Sequence, residues 1–200
     1  MSSKKEFSYK EYLEPEMMLQ LYSQGAFPMA DDKTGIINWY LPEKRTIIPL
    51  NNYNYPRSLK KAISDFNFEF KFDTDFISVV DICANRKPTW ISEELIEAYL
   101  RLDKLGFIHT VETWQKEKLV GGLYGVTIRG AFFGESMFSK VSQASKAALI
   151  KLIEHLNKRK FVLLDVQYIT PHLKMFGAIE ISFEQYEALL AKAYKADCRF

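Results

Sequence analysis

Leu119-Val120-Gly121-Gly122-Leu123-Tyr124-Gly125-Val126-Thr127-Ile128-Arg129-Gly130-Ala131-Phe132-Phe133-Gly134-Glu135-Ser136-Met137-Phe138-Ser139 is the stretch whose reading decides the fold. It reads as a strand over 119–128 and a second over 131–135, joined at Arg129-Gly130 by a tight turn. Five of the chain's nine glycines lie between Gly121 and Gly134, among β-branched and aromatic residues. Glycine weakens a strand and packs nothing, so such clustering marks a bulge or a close backbone approach. The cluster then delivers an acid, Glu135, into an apolar run. That arrangement suits a sheet built around a ligand better than a purely structural one.

The pattern extends outward in both directions. Upstream, 107–114 is a further strand, 68–72 an alternating one, and 57–66 and 75–84 have helical periodicity. Ser92 caps a helix that ends at Gly106. Downstream, 145–158 is a strongly amphipathic helix, 161–167 a buried strand and 184–194 a closing helix. Before these, Pro15 opens a helix that Gly25 closes, and 35–40 and 45–48 form a strand-like pair around the turn signal Leu41-Pro42-Glu43-Lys44. The Asn- and Pro-rich stretch 51–56 reads as a connection. The expectation is an α+β protein with a small N-terminal domain, 1–55, and a larger domain, 56–200, whose mixed, mostly antiparallel sheet is flanked by helices.

Composition excludes several classes. The 200 residues are 48% apolar and 26% charged, the balance of a soluble globular protein. No apolar run nears the ~18–20 residues needed to cross a bilayer, so no membrane partner is expected. Met1–Glu6 lacks the apolar segment of a signal peptide, and Cys83 and Cys198 are too few for a disulfide framework. The expected location is the cytoplasm. His109, His155 and His172 are far apart with no paired His/Cys spacing, so no metal is expected, and His155 reads as solvated. Net charge is +2, yet 140–160 carries six basic residues against one acid, and Arg57, Lys60 and Lys61 form a second basic group. Either group serves as a phosphate contact or as a solvated helix face.

Two features point to chemistry. Asp165 and Gln167, two apart at the end of a hydrophobic strand, project to one face. They read equally as a site or as polar residues capping a neighbouring loop. Leu149, Leu152 and Leu156 fall on one face of the amphipathic helix, a stripe that serves as core or as pocket.

Several blocks together resemble one family, the bacterial leucyl/phenylalanyl-tRNA–protein transferases. They are Gly25–Met29, Trp39–Arg45, Thr89-Trp90-Ile91, His109–Trp114, Leu119–Gly125, Gly134–Ser139, Ala144-Ser145-Lys146 and Asp165-Val166-Gln167. The resemblance runs from about Leu19 to Tyr186. It implies transfer of Leu, Phe or Met from aminoacyl-tRNA to the N-terminal Arg or Lys of acceptor proteins, which then enter N-degron proteolysis. It also implies a larger domain of the GNAT type. Charged tRNA supplies an activated ester, so no cofactor is implied, and the pyrophosphate loop of a coenzyme A user is missing.

Carried over by position, the resemblance makes Asp165 and Gln167 the catalytic pair and Glu135 the acceptor-binding residue. Met29, Trp90 and Phe132 face the aminoacyl-adenosine. Leu123, Met137, Leu149, Leu152, Leu156 and Leu164 line the aminoacyl side-chain pocket. Arg57 and Lys61 contact tRNA phosphates, while Ser64 and Asp65 replace two other basic positions. The segment 171–178 and Ser182-Phe183 also depart from the family pattern. A monomer is expected. The alternatives are a coenzyme A-dependent GNAT acetyltransferase and a non-catalytic tRNA-binding module.

Overall fold

Pro15 at the first turn and Gly25, at φ +87°, bound the first helix, α1 (Pro15–Ser23). The computed structural model describes residues 9–31 and 33–200, so the reading of Met1–Glu6 lies outside the described residues. Two short strands follow, β1 (Phe27–Ala30) and β2 (Ile37–Tyr40), paired antiparallel around Asp31, whose carboxylate accepts the N–H groups of Lys33 and Thr34. The next strand, β3 (Lys44–Ile47), does not pair with β2 as its turn signal predicts. Arg45, Thr46 and Ile47 are all buried, and both edges of β3 are taken by strands from the far end of the chain.

The rest follows the sequence closely. In order come α2 (Arg57–Asp65), β4 (Glu69–Phe72), α3 (Phe76–Ala84) and α4 (Glu93–Lys104). Asp75 and Ser92 cap the last two by accepting the N–H groups of Ser78 and Leu95. After them come β5 (Ile108–Gln115), β6 (Lys118–Ile128), β7 (Ala131–Ser139), α5 (Ala144–Lys158) and β8 (Leu163–Gln167). The chain closes with α6 (Pro171–Lys174), β9 (Ile179–Ser182) and α7 (Phe183–Lys195), which opens with a Ser182–Gln185 capping box.

Seven strands form the main sheet in the order β4-β5-β6-β7-β8-β3-β9, and every neighbouring pair is antiparallel except β7 and β8. This is the mixed, mostly antiparallel sheet expected. Apolar side chains fill both faces. One cluster joins Met18, Tyr22, Val80, Leu95, Tyr99, Tyr124, Phe133 and Leu190; the other joins Leu59, Leu123, Phe132, Leu152, Leu156 and Leu164. His155 packs on the second side and is partly buried rather than freely solvated. Its ring packs 4.7 Å from Phe72 and 4.4 Å from Phe200, and burial pulls its pKa down. No helix among the described residues is long and apolar enough to cross a membrane.

Two irregularities open the sheet at one point. Pairing of β7 with β8 covers only Ala131↔Leu163, Phe132↔Leu164 and Phe133↔Asp165, after which the strands part. Just there, the register of β6 and β7 shifts: Tyr124 faces Ser136 and Gly125 faces Gly134, which leaves Glu135 as the extra residue of a bulge. Gly125 makes the bulge possible, because a methyl group there would meet the Phe133 carbonyl oxygen and the Phe132 ring. Gly125→Ala is therefore expected to destabilise the protein by ~2–3 kcal/mol or more, as overpacking does. A urea midpoint lowered without a change in slope would report it.

Candidate active site

The gap between β7 and β8 is a cavity of about 210 Å³. Leu123, Phe132, Met137, Leu149, Leu152 and Leu164 supply its apolar wall, and Val166 and Leu173 extend it. That volume is below the ~300–1,000 Å³ of a drug-sized pocket. It suits one amino-acid side chain. Leu156, one turn along α5 from Leu152, is buried in the cluster behind and does not line the cavity. Phe132 belongs to this wall and has no exposure elsewhere. Met29 and Trp90 line a separate hollow of about 320 Å³ with Tyr40, Pro88 and Thr89. The strand end carrying Met29 is tied to that segment by the Ala30 N–H, which donates to the Trp90 carbonyl at 3.0 Å. The structure thus separates Phe132 from Met29 and Trp90. Arg86 at the cavity and Pro88 at the hollow stand two residues apart on one segment.

At the polar end of the cavity lies Glu135, 8% exposed. The bulge re-aims its side chain toward α1 and α4. Tyr22 donates to Oε1 and Tyr99 to Oε2, each at 2.8 Å, and the Gln167 amide donates to Oε1 at 3.3 Å. Burial raises the carboxyl pKa from 4.5 to about 7, even though the two tyrosine hydroxyls and Arg45 pull it down. The nearby charge of Asp165 adds to the rise.

Asp165 has a different environment. It is wholly buried and ion-paired with Arg45, itself only 1% exposed. Arg45 donates from Nε to both oxygens at 2.9 Å and from Nη2 to Oδ2 at 2.6 Å. The Tyr186 hydroxyl donates to Oδ2 at 2.6 Å and the Gln167 N–H to Oδ1 at 2.8 Å. The guanidinium also lies over the rings of Phe27 and Tyr186, at 4.5 and 5.0 Å. Burial pulls the Arg45 pKa down, but Asp165 outweighs it and holds the group above its ordinary value.

The last of these bonds has a geometric consequence. Gln167 sits at φ +65°, in the left-handed region that costs a non-glycine residue ~1 kcal/mol or more. Its N–H is held there by Asp165, and its amide reaches Glu135 from that position. Asp165 and Gln167 are thus coupled through the backbone rather than as adjacent side chains on a flat strand. Sequence reading missed Arg45, Tyr186, Tyr22 and Tyr99. Their partners lie up to 120 residues away, and no local spacing links them.

Glu112, the other buried glutamate among the described residues, is structural. Its Oε1 accepts from the N–H groups of Thr74 and Asp75 and the Thr110 hydroxyl, and Oε2 from the Trp114 indole. Among the described residues no three His, Cys, Asp or Glu side chains are grouped to hold a metal. Arg57 and Lys61 are exposed on one face of α2, with no carboxylate paired to either among the described residues.

Two family models match the chain. One describes the leucyl/phenylalanyl-tRNA protein transferase and covers residues 47–191; the other describes its N-terminal domain and covers residues 12–43. Among curated relatives, the leucyl/phenylalanyl-tRNA–protein transferase of Herpetosiphon aurantiacus is 47% identical over 94% of this chain and 98% of its own length. The enzyme of that name from Gloeothece citriformis is 46% identical over 92% of this chain and 96% of its own. That from Salinibacter ruber is 43% identical over 90% and 80%.

The raised pKa of Glu135 implies a stability cost. Below pH 4.5 the group is protonated whether folded or unfolded. Between there and about 7 the folded chain keeps a proton that the unfolded chain has lost, so stability falls as pH rises through that window. Glu135→Gln imitates the protonated form. It is expected to be more stable than the parent by on the order of 2–3 kcal/mol at pH 8. The gap should close by pH 4, as thermal melts across that range would show.

Proposed function

The chain belongs to the leucyl/phenylalanyl-tRNA protein transferase family, and on that premise we propose that it moves Leu, Phe or Met from aminoacyl-tRNA to acceptor proteins that begin with Arg or Lys. The product carries a new N-terminal residue that directs it to N-degron proteolysis. The observation that carries this reading is a small apolar cavity with one carboxylate at its polar end. The cavity takes the aminoacyl side chain, and the carboxylate meets the cationic end of the acceptor.

The roles follow from the surroundings. Leu123, Leu149, Leu152 and Leu164 reward an unbranched-at-Cβ apolar side chain, while flexible Met137 lets the wall adapt. Such walls separate substrates that differ by a methylene by only ~1–3 kcal/mol, so more than one donor is accepted. Trp90 and Met29 give the terminal adenosine a stacking surface, worth ~1–3 kcal/mol for an aromatic face. Gln167 is held where its amide donates to Glu135 and so orients the carboxylate that meets the incoming amine. Asp165, already saturated by Arg45, Tyr186 and the Gln167 N–H, acts by holding Gln167 in place. Arg57 and Lys61 meet tRNA phosphates. The enzyme works in the cytoplasm, as a monomer and without a cofactor.

The direct test incubates the protein with labelled Leu-tRNA and an Arg-initiated peptide, with acetyl-coenzyme A as a parallel donor. Label is expected on the peptide from Leu-tRNA alone; acetylation instead would refute the reading. Within that assay, Leu152→Phe narrows the cavity. It should lower the rate with Phe-tRNA at least ~10-fold more than with Leu-tRNA, about the discrimination a methylene or two provides. Replacing Arg57 and Lys61 together with Ala should weaken tRNA binding. The slope of log K against log salt should then fall by ~1.5–2 for two lost phosphate contacts.

A further inference from the structure

We propose that Glu135 is the proton acceptor of the transfer, taking a proton from the α-ammonium of the acceptor at the polar end of the cavity. This rests on the reading just given and specifies what Glu135 does with the cation it meets. Three observations carry it. First, Glu135 alone of the polar trio lines the cavity; Asp165 and Gln167 do not. Second, Asp165 has no capacity left. Both of its oxygens are occupied by an ion pair, a tyrosine hydroxyl and a backbone N–H, and it has no exposure.

Third, Glu135 keeps one open position. A carboxylate offers about four lone-pair sites. Tyr22 and Gln167 occupy Oε1, and Tyr99 occupies one side of Oε2. The two tyrosine hydroxyls also touch each other at 3.2 Å, so they brace the carboxylate as a pair. The groups facing it are Tyr22 from α1, Tyr99 from α4, Tyr124 from β6, Gln167 and Asp165 from β8 and Arg45 from β3. Arg45 neutralises Asp165, and Arg86, which also lines the cavity, donates to the Ser136 hydroxyl. The balance leaves the group titrating at about 7, close to an N-terminal amine's ~7.7–8.0, where proton exchange between them is nearly level.

Glu135 takes one proton from the acceptor ammonium, and the freed amine attacks the ester carbonyl, forming the C–N bond. As the C–O bond to the ribose breaks, Glu135 returns that proton to the leaving oxygen. It then takes the second proton from the new amide nitrogen and releases it to solvent. Leucine, as the example, ends on the acceptor, and the tRNA leaves with a free hydroxyl.

The test is a single-turnover pH profile with bound Leu-tRNA and saturating Arg-initiated peptide. Tyr22→Phe and Tyr99→Phe each remove a donor that favours the ionised carboxylate, so each should move the acid limb up by ~0.5–1 pH unit. Their loss of rate at pH 7 should shrink toward pH 9. Glu135→Gln should lose ~10²-fold or more at pH 7, the usual contribution of a general base, while tRNA affinity shows that it is folded. That loss should be equal for peptides beginning with Arg and with Lys. An acid limb that stays in place in both tyrosine variants would overturn the proposal. So would a Glu135→Gln defect that disappears at saturating peptide. In either case a parent protein that still transfers leucine leaves the family reading standing.

Discussion

A fully buried ion pair, Arg45 with Asp165, is the constraint on which the arrangement of this molecule depends. Such a pair adds little net stability compared with apolar residues of similar volume, because desolvating both charges offsets most of their attraction. Breaking it is another matter, since a lone buried charge costs several kcal/mol. Its value here is positional. It draws β3 between β8 and β9, away from the strand that precedes it in sequence, and it seats Tyr186 of α7 and Phe27 of β1 around the guanidinium. It also leaves Asp165 Oδ1 to clamp the Gln167 N–H in an otherwise unfavourable backbone conformation.

The site is assembled where the sheet is least regular. Parallel pairing of β7 and β8 ends after three positions, and a bulge in β7 turns Glu135 out of the alternation. A continuous ladder would have filled the gap with backbone hydrogen bonds and left no space for a ligand. Burying a carboxyl there opposes folding near neutral pH, and the braced tyrosines offset only part of that cost. Stability is thus given up at the place where we propose that transfer occurs, a familiar relation in enzymes.

Much of this was legible in the sequence, in a particular way. The helix capped by Ser92, and the β6–β7 hairpin with its Arg129-Gly130 turn, are fixed by local chemistry and could be read directly. Pairing was not legible where it depends on distant residues. A turn signal at Leu41–Lys44 marks a reversal but does not say which strand β3 joins, and the answer lies in Asp165. Glu135 and Asp165 stood out as acids in apolar runs, whereas Tyr22, Tyr99, Arg45 and Tyr186 looked like ordinary residues until folding joined them. His155 misled because its helix carries many charges; the Phe72 and Phe200 rings that cover it come from elsewhere in the chain.

The dispersal of these partners along the chain has a consequence for how the protein is made. Tyr22 and Arg45 emerge from the ribosome early, Tyr99 and Glu135 later, and Asp165, Gln167 and Tyr186 near the end. During synthesis the arginine is a solvated cation with no anion to pair with, and β3 has neither neighbour in the sheet. Contacts spanning this many residues are slow to close, because loop entropy must be overcome before they form. A nascent chain surrounded by charged tRNA therefore has no working site. The candidate site is complete only once residues of the last third have folded back onto those of the first.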